Sequence, residues 1–185
     1  MTPKRLIQTA SLILVGGAMK RAEYLKKRHI FGYIGNKVRY QGRVIPLYPE
    51  LIKLHDNVFI ARNVHFETHD MISAVINTAY PGAKVPEHVG CIEIMDNVFV
   101  GSDTTILYGV RIGENCVIGS GSLVNKDCEP DSIYAGVPAK KVGTWETFVE
   151  KRMRKDYSYI AHNQNITSEE INTAWEMFYE KHEKQ

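Results

Sequence analysis

Residues 92–124 read IEIMDNVFVGSDTTILYGVRIGENCVIGSGSLV. An aliphatic returns every six residues: Ile94, Val100, Ile106, Ile112, Ile118 and Val124. The position two places earlier is small or β-branched each time: Ile92, Val98, Thr104, Val110, Cys116, Ser122. Ile, Leu and Val make up 43 of the 185 residues. At that abundance, six in a row at one fixed spacing arise by chance about once in several thousand trials. A helix needs a period near 3.6, so period six excludes it. Short β-branched triplets separated by Gly, Asn and Asp read instead as short strands joined by tight turns. Asn97 and Asn115 fall at matching turn positions, where Asn tolerates a left-handed backbone. One six-residue unit cannot bury its own face, but stacked units can, so the pattern predicts a solenoid of parallel strands. Each inward aliphatic then contributes roughly 1.5–3 kcal/mol by burial.

The pattern has an earlier block, IKL, VFI, VHF and DMI, ending at Leu54, Ile60, Phe66 and Ile72. Weaker units begin near Ile34 and Tyr40. The step from Ile72 to Ile94 is 22 residues, which is no multiple of six. The frame therefore places an inserted loop at 73–91, with Tyr80-Pro81-Gly82 at its bend. Loops of that length inside compact domains are usually functional or disordered. Asp70 falls at an inward position of the DMI unit. A buried, unpaired carboxylate is costly, so either the coil opens at 68–72 or Asp70 finds a partner.

Net charge is +2 and apolar residues are 44%, an ordinary balance that points to neither nucleic acid nor a membrane surface. Cys91, Cys116 and Cys128 form an odd, scattered set that fits a reducing cytoplasm better than a disulfide framework. The run Ala10–Met19 is too short to span a bilayer and leads into the charged stretch KRAEYLKKR. A docking helix is the leading reading there and a processed signal the lesser one. The domain plan is a helical segment at 1–29, a repeat domain at 30–143 and C-terminal helices at 144–185. Thr144 caps the first of those helices, and Thr167-Ser168-Glu169-Glu170 forms a capping box for the second. Ile171, Ala174, Trp175 and Phe178 share one face of that second helix, a packing stripe. The basic runs 20–28 and 151–155 read as solvated faces.

The stretches IMDNVFVGSDTTILYGVRIGENCVIGSGSLVNKD and IYAGVPAKKV, together with THD at 68–70, resemble the hexapeptide-repeat acyltransferases. Within that family the chain is most similar to galactoside, maltose, capsular-polysaccharide and streptogramin acetyltransferases. The resemblance covers about residues 30–143. It implies an all-β left-handed parallel β-helix of hexapeptide repeats, flanked by N-terminal and C-terminal α-helical segments. It also implies a cytoplasmic homotrimer that takes acetyl-CoA as co-substrate in grooves between subunits, with no metal. By the same resemblance His69 is the catalytic general base. Ser102, Ser120, Asn125, Lys126 and Lys140 are the implied cofactor contacts. Phe99 stands where many family members carry tryptophan, which leaves any stacking role there open.

Residues 18 apart should stack when three units make a turn, so Ser102 sits level with Ser120, each after a glycine. Slim backbone suits a groove for an extended pantetheine arm, and lysines suit its phosphates. Acetyl transfer from a thioester to a hydroxyl needs a base for the proton and donors for the oxyanion. A histidine titrating near ~6.5 supplies such a base. Of the seven histidines, His29, His55, His162 and His182 lie in entry, turn or tail segments, His65 points outward and His88 is in the loop. Glu67, Asp70 or a backbone carbonyl could orient the His69 ring. Asp70, Tyr80 and His88 are the candidate acceptor contacts. The expected reaction is acetylation of a hydroxyl on a sugar or other small acceptor. A drug-modifying acetyltransferase, a β-helix carbonic anhydrase and a non-catalytic scaffold are the alternatives.

Overall fold

The computed structural model describes residues 3–154 and 165–183. Two compact units divide at Phe148 and Val149. The first opens with helices α1 (Pro3–Leu14) and α2 (Ala18–Lys27), then strands β1 (Tyr33–Ile34), β2 (Arg39–Tyr40), β3 (Ile52–Leu54), β4 (Phe59–Ile60) and β5 (His65–Glu67). A short strand β6 (His69–Asp70), helix α3 (Ile72–Ala79) and strand β7 (His88–Val89) follow. Then come β8 (Ile92–Ile94), β9 (Phe99–Val100), β10 (Thr105–Leu107), β11 (Arg111–Ile112), β12 (Val117–Ile118), β13 (Leu123–Val124), β14 (Ser132–Ala135) and β15 (Lys140–Thr144). Helix α4 covers Trp145–Arg154 and α5 covers Ser168–Glu183. His162 and the last residue of the basic run 151–155 lie outside the described residues.

The hexapeptides make a coil. Successive strands visit three sheets in rotation: β8, β9 and β10 start the three faces, and β11, β12 and β13 repeat them one turn on. All these pairs are parallel, and their partners are 18 residues apart, as with Glu93 and Arg111, Phe99 and Val117, and Thr105 and Leu123. Both apolar members of each triplet point inward. Ile92, Ile94, Val100, Ile106, Ile112, Cys116 and Ile118 are wholly buried, and Thr104 with them. The middle residue, such as Glu93, faces out and meets its stacked neighbour, here Arg111 at 2.8 Å.

Asparagine makes one corner. Asn57, Asn97 and Asn115, with Asp131 after them, all have φ between 53° and 58°. Each amide donates to the next: Asn57 to Asn97 at 3.0 Å, Asn97 to Asn115 at 3.0 Å, and Asn115 to Asp131 at 2.8 Å. The side chain thus offsets the strain of the left-handed turn with a ladder along the coil.

The ends of the coil are covered. Leu25 and Ala22 of α2 are buried over the first turn, and Arg21 donates to the Tyr40 carbonyl at 3.0 Å. At the other end β14 reverses at Gly136 (φ 100°), and β15 returns antiparallel beside it. Thr144 caps α4, its hydroxyl accepting from the Thr147 amide. The capping box forms as well, with Glu170 accepting from the Thr167 amide at 2.7 Å and Thr167 from the Glu170 amide at 3.2 Å.

One part of the sequence frame needs correction. The strand partner of β3 is β8, 40 residues on, as is that of Phe66 with Ile106. The chain therefore leaves the coil after Glu67, at 68–91, and DMI is no rung. Ile72 is 60% exposed and begins α3. Asp70 is not inward either. It sits in an antiparallel hairpin, with His69 opposite Val89 and Asp70 opposite His88. Both physical outlets apply: the coil opens, and the carboxylate finds a partner. The predicted loop at 73–91 also holds regular structure. Its bend does fall at 80–83, where Gly82 has φ 96° and the Ala83 amide reaches the Tyr80 carbonyl at 3.0 Å.

Candidate active site

The insertion is anchored at its first residue. Thr68 is wholly buried, and its hydroxyl donates to the Leu47 carbonyl at 2.6 Å. The Gly90 amide closes the hairpin on the Thr68 carbonyl at 2.9 Å. His69 and Asp70 follow as neighbours on one short strand, so their side chains leave on opposite sides. His69 lines a cavity of about 250 Å³ together with Arg5, Val44, Leu47 and Phe66. Asp70 lines another of about 490 Å³ with Ser73, Ile76, Glu87 and His88.

The His69 ring stands edge-on to Tyr48, centroids 5.5 Å apart. Its Nδ1 is buried and has no hydrogen-bond partner among the described residues. None of the three candidate orienting groups fills that position. A buried polar atom without a partner is uncommon in a folded protein and marks His69 as a residue held for more than packing. The Tyr48 hydroxyl reaches Glu87 at 3.2 Å. The negative charge of Glu87 raises the tyrosine above its ordinary titration range. Tyr48 itself holds a left-handed backbone, φ 48°.

Asp70 is held on the far side. Its carboxylate accepts from the Tyr108 hydroxyl at 2.6 Å and from the Ile72 amide at 3.0 Å. The Tyr108 bond, then the Ile72 amide, keep the Asp70 carboxyl below the usual carboxylate range. The same bond raises Tyr108. His88 stacks on Tyr108 with centroids 4.6 Å apart. Asp70 and His88 are thus gathered into one cavity, across the hairpin from His69. Tyr80 is apart from both cavities and 68% exposed. Asn77 fixes the loop beyond it by exchanging two bonds with Val85, at 2.9 and 2.8 Å.

The serines stack as the 18-residue rule requires. A Cβ on Gly101 would meet the Ser120 amide at 2.5 Å, so the two rungs touch there. The Gly121 amide donates to the Ser102 carbonyl at 2.8 Å. Ser120 is exposed and Ser102 half-buried on this column. It lies at the corner that leads into β10 and β13. His69, Asn125 and Lys126 lie at the next corner, after those strands, and Lys140 is on β15. Asn125, Lys126 and Lys140 are all exposed. One chain therefore does not bring His69 to the serine column. A face strand of about six residues, roughly 20 Å, separates the two corners. Among the described residues no group of three or more His, Cys, Asp or Glu is placed to hold a metal ion. No described helix is long and apolar enough to cross a membrane.

Tyr48, Tyr108 and Glu87 are the site residues that sequence reasoning missed. Tyr108 alone had a signal: it is the 18-residue neighbour of Lys126.

A chain that coils in hexapeptides over three faces and opens one corner around a histidine defines a hexapeptide-repeat protein. Residues 92–126 match the family model described as "Bacterial transferase hexapeptide (six repeats)". The chain is similar to hexapeptide-repeat acetyltransferases, as the resemblance in its sequence implied. The Escherichia coli galactoside O-acetyltransferase is 36% identical over 97 residues, 49% of this chain and 43% of that protein. A maltose O-acetyltransferase structure from Clostridium difficile is 26% identical, with TM-score 0.57, covering 76% of this chain and 84% of that one. A hexapeptide-repeat acetyltransferase of Vibrio cholerae, in complex with acetyl coenzyme A, has TM-score 0.58 at 22% identity. It covers 77% of this chain and 85% of that one, and at that identity it bears on the fold alone. The chain spans less than two-thirds of the length of the first curated relatives it matches.

Proposed function

We propose that the protein moves an acetyl group from acetyl-CoA to a hydroxyl of a sugar or another small acceptor, with His69 as general base. The observation that carries this is His69 itself: a histidine on a built insertion, lining a cavity wall edge-on to Tyr48. The imidazole takes the acceptor hydroxyl proton as that oxygen attacks the thioester carbonyl carbon. The C–O bond forms, the tetrahedral intermediate collapses, the C–S bond breaks, and the imidazolium returns the proton to the CoA sulfur. The activated thioester makes a covalent enzyme intermediate unnecessary. The acetyltransferase names of the galactoside and maltose relatives support the same reading.

The active unit in this reading is a homotrimer of left-handed β-helices with its sites between subunits. Ser102, Ser120, Asn125, Lys126 and Lys140 hold acetyl-CoA, and Asp70 and His88 shape the acceptor side, with Tyr80 a more distant contact. The support is geometric. The serine column and His69 occupy different corners of one chain, so a neighbouring chain must bring a column to each histidine. The three cysteines are free, which fits a reducing cytoplasm.

The test is an acceptor screen that follows thioester loss, run with His69→Ala alongside. The expected result is turnover by the wild type and a loss of about 10²–10⁴-fold in the variant. A variant with wild-type turnover would remove His69 from the mechanism.

A further inference from the structure

Helix α1 is built inside out. Its solvent face carries Pro3, Leu6, Ile7, Ala10, Ile13 and Leu14, all exposed and all apolar, at the spacing of one helix face. Leu14 is 86% exposed and Ile7 67%. The opposite face holds the polar groups. Arg5 donates to the Ile45 carbonyl at 2.8 Å, and the Gln8 carbonyl accepts from Tyr24 at 3.2 Å. The Thr9 hydroxyl is buried with no partner among the described residues. Only Leu12 is a fully buried apolar side chain of the helix. A soluble helix packs the other way, with its apolar stripe on the core. Here a polar group is left unsatisfied inside while a continuous aliphatic stripe is displayed outside.

Charge distinguishes what covers the stripe. Residues 1–30 contain seven Lys and Arg against one acidic residue, Glu23, a net of +6. The whole chain is +2, so residues 31–185 carry −4, and the small total hides a strong asymmetry. Arg43 lies beside the end of the helix, its guanidinium on the Ile13 carbonyl at 3.3 Å. Val44 and Met19 are exposed apolar side chains as well. Two such basic segments facing each other repel, whereas an anionic surface attracts one. An apolar helix face within a basic segment is the pattern of helices that lie in a lipid interface without spanning it.

We infer that α1 docks the protein on an anionic lipid surface, its aliphatic face in the acyl boundary and the exposed cations of the basic segment on the headgroups. Val44 and Arg5 also line the His69 cavity. The docked protein would then meet acceptors carried at the surface, a consequence that rests on the acetyl transfer proposed above. The docking itself does not.

The test is co-sedimentation of the full chain with phosphatidylcholine vesicles, with and without phosphatidylglycerol, at low and high salt. The wild type should pellet with the anionic vesicles at low salt and be released as salt rises. Ile7→Gln/Leu14→Gln should bind about 10-fold more weakly or worse, with unchanged circular dichroism. Wild type that stays in solution with both vesicles overturns the inference whether or not the variant folds. So does a double variant that binds like wild type. Light scattering is the third arm. A variant that loses mass, beside a wild type that ignores vesicles, would assign the stripe to a second copy instead.

Discussion

The Tyr108 hydroxyl donates to the Asp70 carboxylate at 2.6 Å, and that bond joins the insertion to the coil one turn above its exit. Leu107 is in register with Glu67, so Tyr108 sits level with the point where the chain departs. Asp70 is the residue next to His69, so the bond sets where the histidine stands.

Tyr108→Phe keeps the ring that His88 stacks on and removes only the donor. The Asp70 carboxyl then moves back up toward its ordinary range, because the Tyr108 bond is the largest cause of its depression. A carboxylate depressed in the folded state stabilises above its unfolded pKa, near ~3.9, and that contribution is lost as pH falls through the folded value. The gap in melting temperature between wild type and variant should therefore be widest at neutral pH and close in acid. Turnover should fall by about 10–100-fold through misplacement of His69. Thermal melts at several pH values and steady-state kinetics check both. A gap that widens in acid contradicts the sign.

Gly101→Ala tests the serine column. The added methyl would lie 2.5 Å from the Ser120 backbone nitrogen, which is a rung of the coil and cannot rotate aside. The rungs must part, at a cost of about 1–3 kcal/mol. If the column holds acetyl-CoA, KM for acetyl-CoA should rise while that for the acceptor changes little. Chemical denaturation measures the first effect and paired KM values the second. Equal rises in both KM values would place the cofactor elsewhere.

The repeat was legible because burial in a coil has a strict period and uses residues of one kind. Ile94, Ile106 and Ile118 announce it, and so does the asparagine corner. The site was legible only to the point where the period fails. Sequence phase ran on to Ile72 because DMI imitates a rung, and only strand pairing shows that Phe66 is the last inward residue before the break. Tyr48 was hidden for the same reason, and Tyr108 showed only as the 18-residue neighbour of Lys126. Their roles depend on contacts across 21 and 38 residues, Tyr48 to His69 and Tyr108 to Asp70, and no local pattern encodes these. The apolar run in the first helix was visible. Which of its faces points out was not, since a helix period is the same for a packed stripe and a displayed one.

Cysteine reactivity reports on the coil interior. Cys91 is exposed at the end of the insertion, whereas Cys116 and Cys128 are buried. Burial, mainly, pushes the Cys128 thiol up to about 12, and raises Cys116 as well. The thiolate is the reactive form, so both buried thiols should be inert at pH 8. Titration with a disulfide reagent should count one thiol in the native protein and three in denaturant. Raising the pH should speed Cys91 alone until the coil unfolds. Two fast native thiols would mean that the coil end opens at Cys128.

Tyr48 makes two contacts that substitution can separate. Its ring meets His69 edge-on at 5.5 Å, and its hydroxyl holds Glu87 of the insertion at 3.2 Å. Tyr48→Phe loses the second contact and keeps the first. The hairpin remains anchored through Thr68 and Asp70, so turnover should stay within about 3-fold of wild type, as for the loss of one exposed hydrogen bond. Tyr48→Ala removes the wall beside His69 and lets water and alternative rotamers in. A fall of about 10–100-fold in kcat is expected, the range for a misplaced catalytic group. The backbone at φ 48° gives an internal control. Tyr48→Gly deletes the same wall but relieves the left-handed strain, so it should melt higher than Tyr48→Ala while turning over no faster. If the glycine variant recovers activity along with stability, the ring is a structural spacer and the placement of His69 depends on the backbone alone.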